Sequence, residues 1–255
     1  MLREERQRRI RQAVNARGQT TVADLARQFE VTEMTIRRDL DELAGRGLLQ
    51  RTHGGAVALA GSYGPPDAPV LERAANEWPA KQRIAQAVAG MIADGERIFL
   101  GSGTTTLAVA EALMGRADLT VVTNALTVAN TLAAMPGIRV TVVGGSLRPS
   151  ELSLIGHHAE TMLREIRVNK VIMGVKGIDP EYGFTSDHYQ ELMTDRAIMG
   201  TSDMVIVVAD HTKFRHIAAS RMAPLTAARM LVTDTAAPGD LVAVIRALGV
   251  RVVLV

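Results

Sequence analysis

Residues 97 to 114 read RIFLGSGTTTLAVAEALM. An apolar run ends at glycine, and a helical pattern of apolar residues takes over within a few positions. The junction, GSGTTT (101–106), joins two glycines to four hydroxyl side chains. A helix that starts after a strand leaves its first N–H groups unpaired, and together with the helix dipole these favour an anion. Gly101 and Gly103 would let a ligand approach the backbone, while Ser102, Thr104, Thr105 and Thr106 offer hydroxyls. The segment lacks the third glycine of a dinucleotide fingerprint and the Gly-Lys-Ser/Thr of a Walker loop. Its own residues read either as an anion grip or as a capped turn.

The alternation continues downstream. Strands are expected at RIFLG (97–101), LTVVTN (119–124), RVTVVGG (139–145), KVIMGV (170–175), MVIVVAD (204–210), RMLVTD (229–234) and VRVVLV (250–255), most of them separated by helical stretches. Buried apolar strands alternating with helices imply a mostly parallel sheet covered on both faces. The 255 residues are 47% apolar and 22% charged, enough for a sizeable core. Stretches such as MVIVVA fall short of the roughly 20 apolar residues of a membrane helix. The opening MLREERQRRIRQ lacks the apolar core of a secretory signal, so a cytoplasmic location is expected, with no membrane partner. There is no cysteine, hence no disulfide or thiolate metal site. His157 and His158 are adjacent, and His188, His211 and His216 form no ligand motif; neither metal nor cofactor is expected.

Residues 1–57 differ from the rest. Eleven Arg and no Lys stand against eight acids, in a chain of net charge +2. Arg pairs bidentately with phosphate, although a charged helical surface would account for the same excess. Ile10 and Val14 share a face of a first helix, ended by Gly18. A second starts at Thr21 with Asp24 at capping-box spacing and buries Val22, Leu25 and Ala26. After the turn FEV, Thr32 caps a third helix that turns Ile36, Leu40 and Leu43 inward. Glu33, Thr35, Arg37 and Arg38 are thereby left near its exposed start, an arrangement suited to major-groove insertion. GLLQRTHGGAV then reads as a strand, a Gly-Gly turn beside Arg51 and His53, and a return strand, a hairpin of the size of a wing.

At this point TVADLARQFEVTEMTIRRDLDELAGRGLLQRTHGGAV (21–57) resembles the winged helix-turn-helix of DeoR-type bacterial transcription regulators, with TIRRDL and HGGA both present. KQRIAQAVAGMIADGERIFLGSGTTT, VVTNALTVA, VVGG, GIDPEYGF and VVADHTKF resemble successive elements of that family's sensor domain, which is similar in fold to ribose-5-phosphate isomerase. The fold class implied is α/β: an N-terminal winged helix-turn-helix domain (1–57), a linker (58–76) and a mostly parallel, doubly wound α/β sensor domain (77–255).

The resemblance implies a repressor of carbohydrate-metabolism genes, relieved by a phosphorylated sugar. Its partners would be double-stranded operator DNA, the sugar phosphate and further copies of itself, as a dimer or tetramer. Arg37 and Arg38 would approach DNA, one toward phosphate and one toward base edges in an order the residues leave open; alternatively one pairs with Asp39 or Glu42 on its own helix. Thr32, Glu33, Thr35, Arg51 and His53 complete the DNA set, with capping the simpler role for Thr32. The effector set is Gly101 to Thr106, Asn124, Gly144, Gly145, Asp179, Glu191, Asp210 and Lys213, at strand ends where ligands gather in open α/β sheets. Asp179 before Pro180 equally makes a turn. Lys81 fits the family pattern, with a structural role as the alternative. Asp195, in ELMTDRA, stands where the family often has Lys, which bears on the charge of the ligand.

Two other readings remain at this stage. Asp179, Glu191 and Lys213 could serve an aldose–ketose isomerase, although fold similarity does not transfer activity and the DNA-reading segment speaks for a non-enzyme. The second half could also be an assembly platform in a DNA-binding protein that answers to no small molecule.

Overall fold

In the computed structural model, residues 3–17, 19–46, 48–52, 54–57 and 69–255 are described. Gly18 at the expected end of the first helix, His53 in the wing turn, and residues 58–68 of the expected linker lie outside them. The chain divides into two compact units, Met1–Asp67 and Ala68–Val255.

The first unit runs α1 (Arg3–Arg17), β1 (Gln19–Thr21), α2 (Val22–Phe29), α3 (Glu33–Gly45), β2 (Gln50–Thr52) and β3 (Gly55–Val57). Thr21 caps α2 as its spacing requires: its Oγ1 accepts from the Asp24 N–H at 3.1 Å, and its hydroxyl donates to the Asp24 carboxylate at 2.7 Å. The turn between α2 and α3 is tight enough to hold Glu30 in the left-handed region at φ 52°. Ile10, Val14, Leu25, Ile36, Leu40, Leu43 and Leu49 close over one core. The hairpin β2–β3 is present, but it is part of a three-stranded antiparallel sheet, because Gln19–Thr21 pairs with the outer side of β3. Three polar residues carry no strand pattern, so sequence reading missed β1.

The second unit begins with a short helix, α4 (Val70–Arg73), inside the stretch assigned to the linker; the Val70 N–H donates to the Ser150 carbonyl at 2.8 Å. There follow α5 (Trp78–Ala89), β4 (Arg97–Leu100), α6 (Thr104–Ala112), β5 (Leu119–Thr123), α7 (Leu126–Ala133) and β6 (Ile138–Val142). A hairpin, β7 (Ser146–Arg148) and β8 (Ser153–Ile155), leads to α8 (His157–Arg164) and β9 (Lys170–Gly174). The rest is β10 (Gly177–Asp179), β11 (Gly183–Ser186), α9 (Tyr189–Met199), β12 (Val205–Val208), β13 (Ser220–Ala223), β14 (Met230–Thr233), α10 (Gly239–Ala247) and β15 (Arg251–Leu254).

All seven strands expected from sequence form one parallel sheet, in the order β15-β14-β12-β9-β4-β5-β6. Alternate residues serve opposite faces: Ile98 and Leu100 pack beneath α5 and α6, while Phe99 between them joins Leu163, Leu192 and Ile245 on the other side. Chain order runs outward in one direction from β4 and in the other from β9. These two neighbours are therefore the topological switch point, where the connections part and leave a crevice at the strands' carboxyl ends. The antiparallel pieces β7–β8 and β10-β11-β13 were not anticipated. They are short, and they bring further side chains to that crevice.

Candidate functional site: a cavity at the switch point and an exposed recognition helix

A cavity of about 70 Å³ opens at the carboxyl ends of β4 and β9. Its first wall is the stretch Gly101 to Thr105. Gly103, at φ 124°, occupies the N-cap of α6 and has no side chain to cap it, so the first-turn N–H groups are left to a ligand or water. At Gly101 a Cβ would press on Met173 Cβ at 3.3 Å, which is why glycine lines this wall. Lys213, in the short helical turn after β12, reaches the same cavity, and its ammonium has no ion pair among the described residues.

A second part of the lining is charged. Along α9, Glu191, Asp195 and Ile198 fall on one face at successive turns and line the cavity. The β7–β8 hairpin faces them: Arg148 forms a short ion pair with Glu191, both side chains at 7% exposure or less, and Ser153 adds a hydroxyl 3.3 Å from the same carboxylate. Glu151, 3% exposed, is held by Arg73 of α4 and by Lys176 after β9, the latter at 2.6 Å. Asp195 makes no hydrogen bond or ion pair among the described residues. Burial pushes its carboxyl up to about 7; Glu151 adds to this, while Arg148 and Lys176 oppose it. Beside the cavity Lys81 is buried, and its ammonium donates to the Arg73 and Asn76 carbonyls, tying the turn between α4 and α5. Burial holds its pKa below the ordinary lysine range, with Asp210 the main opposing charge.

In the first unit, α3 presents Glu33, Met34, Arg37 and Arg38 to solvent while Ile36, Leu40 and Leu43 face the core. Thr32 is the N-cap: its Oγ1 accepts from the Thr35 N–H at 3.3 Å and lies 3.0 Å from the Thr35 hydroxyl. Arg37 pairs with Glu33 at 3.2 Å, an exposed contact worth little in water. Arg38 has no ion pair among the described residues. The expected competition from Asp39 and Glu42 does not arise, because α1 occupies both acids. Arg6 and Gln7 donate to the buried Asp39 at 2.6 and 3.0 Å, and Gln7, Arg3 and Arg46 engage Glu42. Arg51 is folded back onto Asp41 at 2.7 Å and the Gly55 carbonyl.

A helix-turn-helix with a wing in one unit and a switch-point cavity in the other match known families over most of the chain. Residues 6–60 match the DeoR-like helix-turn-helix domain, and residues 77–235 match the DeoR C terminal sensor domain. The chain belongs to the DeoR family. A glycerol-3-phosphate regulon repressor of Escherichia coli K12 is 36% identical over 238 residues, 93% of each chain. The transcriptional repressor AccR of Agrobacterium fabrum is 36% identical over 91% of this chain and 90% of its own. A putative aga operon transcriptional repressor of Escherichia coli O157:H7 is 30% identical over 98% and 93%. Ribose 5-phosphate isomerase A of Methanocaldococcus jannaschii is similar over 55% of each chain at 13% identity and a TM-score of 0.41, a likeness that carries no argument.

In this DeoR chain, the cavity gathers Gly101, Ser102, Gly103, Thr104, Thr105, Glu191 and Lys213 of the effector set. The remainder do not line it. Thr106 is buried and donates to the Gly103 carbonyl, so it closes the first turn of α6. Asn124 is buried against the Leu154 carbonyl, and Gly145 lies so close to Ile155 that a Cβ would meet its carbonyl at 2.7 Å; Gly144 sits beside it. Asp179 accepts from the Glu181 and Tyr182 N–H groups at 2.9 and 2.8 Å, the turn its Asp-Pro sequence allows. Asp210 is buried and caps the turn that carries Lys213. Sequence reading passed over Arg73, Glu151, Lys176, Thr185 and Ser186, which enter the wall from the short helix α4, short loops and the β10-β11-β13 sheet with no motif around them.

Proposed function

We propose that this DeoR-family regulator is a repressor whose DNA affinity falls when a phosphorylated sugar or polyol occupies the switch-point cavity. That it is a DNA-binding transcription regulator and not an enzyme follows from its family and from relatives named as repressors that it matches over 90% or more of their length. The single observation that carries the effector reading is the uncapped start of α6 beside the unpaired Lys213: orphan N–H groups, a helix dipole and a cation in one cavity suit a phosphate. The glycerol-3-phosphate in one relative's name supports a small phosphorylated ligand as the starting point for screening. Arg38 and Arg37 are the residues assigned to DNA, with Thr35 and Glu33 beside them. Thr32 caps, and Arg51 holds the wing's shape. The protein acts as a dimer or tetramer in the cytoplasm, since paired half-sites are read by symmetric assemblies.

Release requires the ligand to favour the DNA-incompetent state; each tenfold loss of DNA affinity takes about 1.4 kcal/mol of that preference. The experiment is a titration of the protein–operator complex with glycerol 3-phosphate and hexose phosphates, repeated with Thr104→Ala/Thr105→Ala and with Lys213→Ala. Weakened responses in both variants support the assignment, and unchanged responses refute it.

A further inference from the structure

Two charged side chains of the cavity, one basic and one acidic, have no ion pair among the described residues. Lys213, in the turn after β12, and Asp195, on α9, both line it. The charges acting on Asp195 are those of Arg148, Glu151 and Lys176, with Lys213 not among them. A ligand spanning it must satisfy both.

We infer that Asp195 sets effector specificity, confining the ligand to a phosphate monoester whose far end carries neutral hydroxyls and opposing a carboxylate or second phosphate there. This rests on the phosphate reading of the α6 end. Around Asp195 the charges are nearly balanced: Arg148 faces Glu191 of the same helix, and Arg73 and Lys176 share Glu151. Three cations against two carboxylates leave one positive charge, which an ionised Asp195 cancels. The cation of α9, Arg196, is turned to the Met222 and Arg221 carbonyls, while His188 caps the helix and Glu160 of α8 meets Thr194. A neutral polyol end suits this balance, because its hydroxyls donate to the Asp195 carboxylate. An arriving anion would instead add charge beside three carboxylates, two of them, Glu151 and Glu191, buried, and would be accepted only with Asp195 protonated. Since burial lifts that carboxyl to about 7, the proton is taken up in an accessible range.

The test uses two matched pairs that share a phosphate and chain length and differ at the far end: glycerol 3-phosphate against 3-phosphoglycerate, and glucitol 6-phosphate against 6-phosphogluconate. Dissociation constants are measured calorimetrically on the full chain at pH 6 and pH 8. The ratio of the acid to its neutral partner cancels the ionisation of the shared phosphate and any general weakening of a variant. For the pair that fits, the wild-type ratio is expected to favour the neutral compound at pH 8 and to shrink roughly tenfold by pH 6, as the proton arrives. In Asp195→Asn it is expected to be smaller at pH 8 and flat with pH. A wild-type ratio that does not change with pH, or an unaltered ratio in the variant, overturns the inference and leaves the phosphate reading standing. If none of the four compounds binds while operator DNA is still bound, the phosphate reading falls and this inference falls with it.

Discussion

Arg148 and Glu191, 43 positions apart, form an ion pair in which neither side chain keeps more than 7% of its surface in contact with solvent. It fastens the β7–β8 hairpin to the start of α9 and so fixes one wall of the cavity. A buried pair adds little net stability over an apolar pair, but removing one partner strands a charge. Arg148→Met is therefore expected to lose about 3–5 kcal/mol in urea unfolding, and Glu191→Gln a similar amount. The double variant should lose less than the sum, and additivity in the cycle would show that the pair is not coupled.

Asp195 predicts the pH dependence of stability. Its folded pKa of about 7 lies above that of an unfolded aspartate, so between about pH 4 and pH 7 the folded state binds more protons, and stability falls as pH rises. Asp195→Asn removes this penalty. Urea unfolding at pH 8 should show the variant more stable than wild type, with the gain disappearing near pH 4. A gain that grows toward acid would reverse the sign and reject the assigned pKa shift.

Thr32 separates capping from DNA contact. Its Oγ1 accepts from the Thr35 N–H, and losing a cap costs typically about 1 kcal/mol. Thr32→Ala should lower stability by that amount, while Thr32→Asp, which caps equally well, should restore it. If both variants keep full stability, the capping role is wrong.

The two arginines of α3 should differ. Arg37 must first leave Glu33, whereas Arg38 is exposed with no ion pair among the described residues. Arg38→Ala is expected to act in one of two readable ways. A lost phosphate contact lowers affinity alike on all sequences and reduces the salt slope by about one; a lost base contact costs about 1–3 kcal/mol on the operator alone. Glu33→Ala should strengthen DNA binding slightly by freeing Arg37. If Arg37→Ala/Arg38→Ala leaves specific binding intact, α3 is not the recognition helix.

Much of this was legible in the residues because it depends on local periodicity. RIFL, KVIM and VIVV alternate between two buried faces, and Thr21 with Asp24 or Thr32 before Ile36 mark helix starts by chemistry that needs no tertiary partner. The strand-to-helix junction at GSGTTT was legible for the same reason. The charged wall was not legible. Glu151 and Lys176 gain their meaning from a hairpin and a strand end that meet only in three dimensions, and nothing in SELS or VKG distinguishes a buried ion pair from surface charge. Asp179, Asn124 and Gly145 show the same limit: each was read as a ligand-facing strand end, and in the fold Asp179 holds a turn, the Asn124 amide N–H donates to the Leu154 carbonyl and Gly145 approaches Ile155 closely, uses that local sequence does not separate from a ligand contact.

The most direct test of the central claim is fluorescence anisotropy of the purified protein on labelled DNA from its own promoter, titrated at fixed salt with sugar and polyol phosphates and with each unphosphorylated parent. Fixed salt is essential because phosphate-contact affinity falls steeply with ionic strength. The account predicts release by at least one phosphorylated compound and by none of the parents. Specific binding that no phosphorylated compound alters, or release by a parent as readily as by its phosphate, would contradict it.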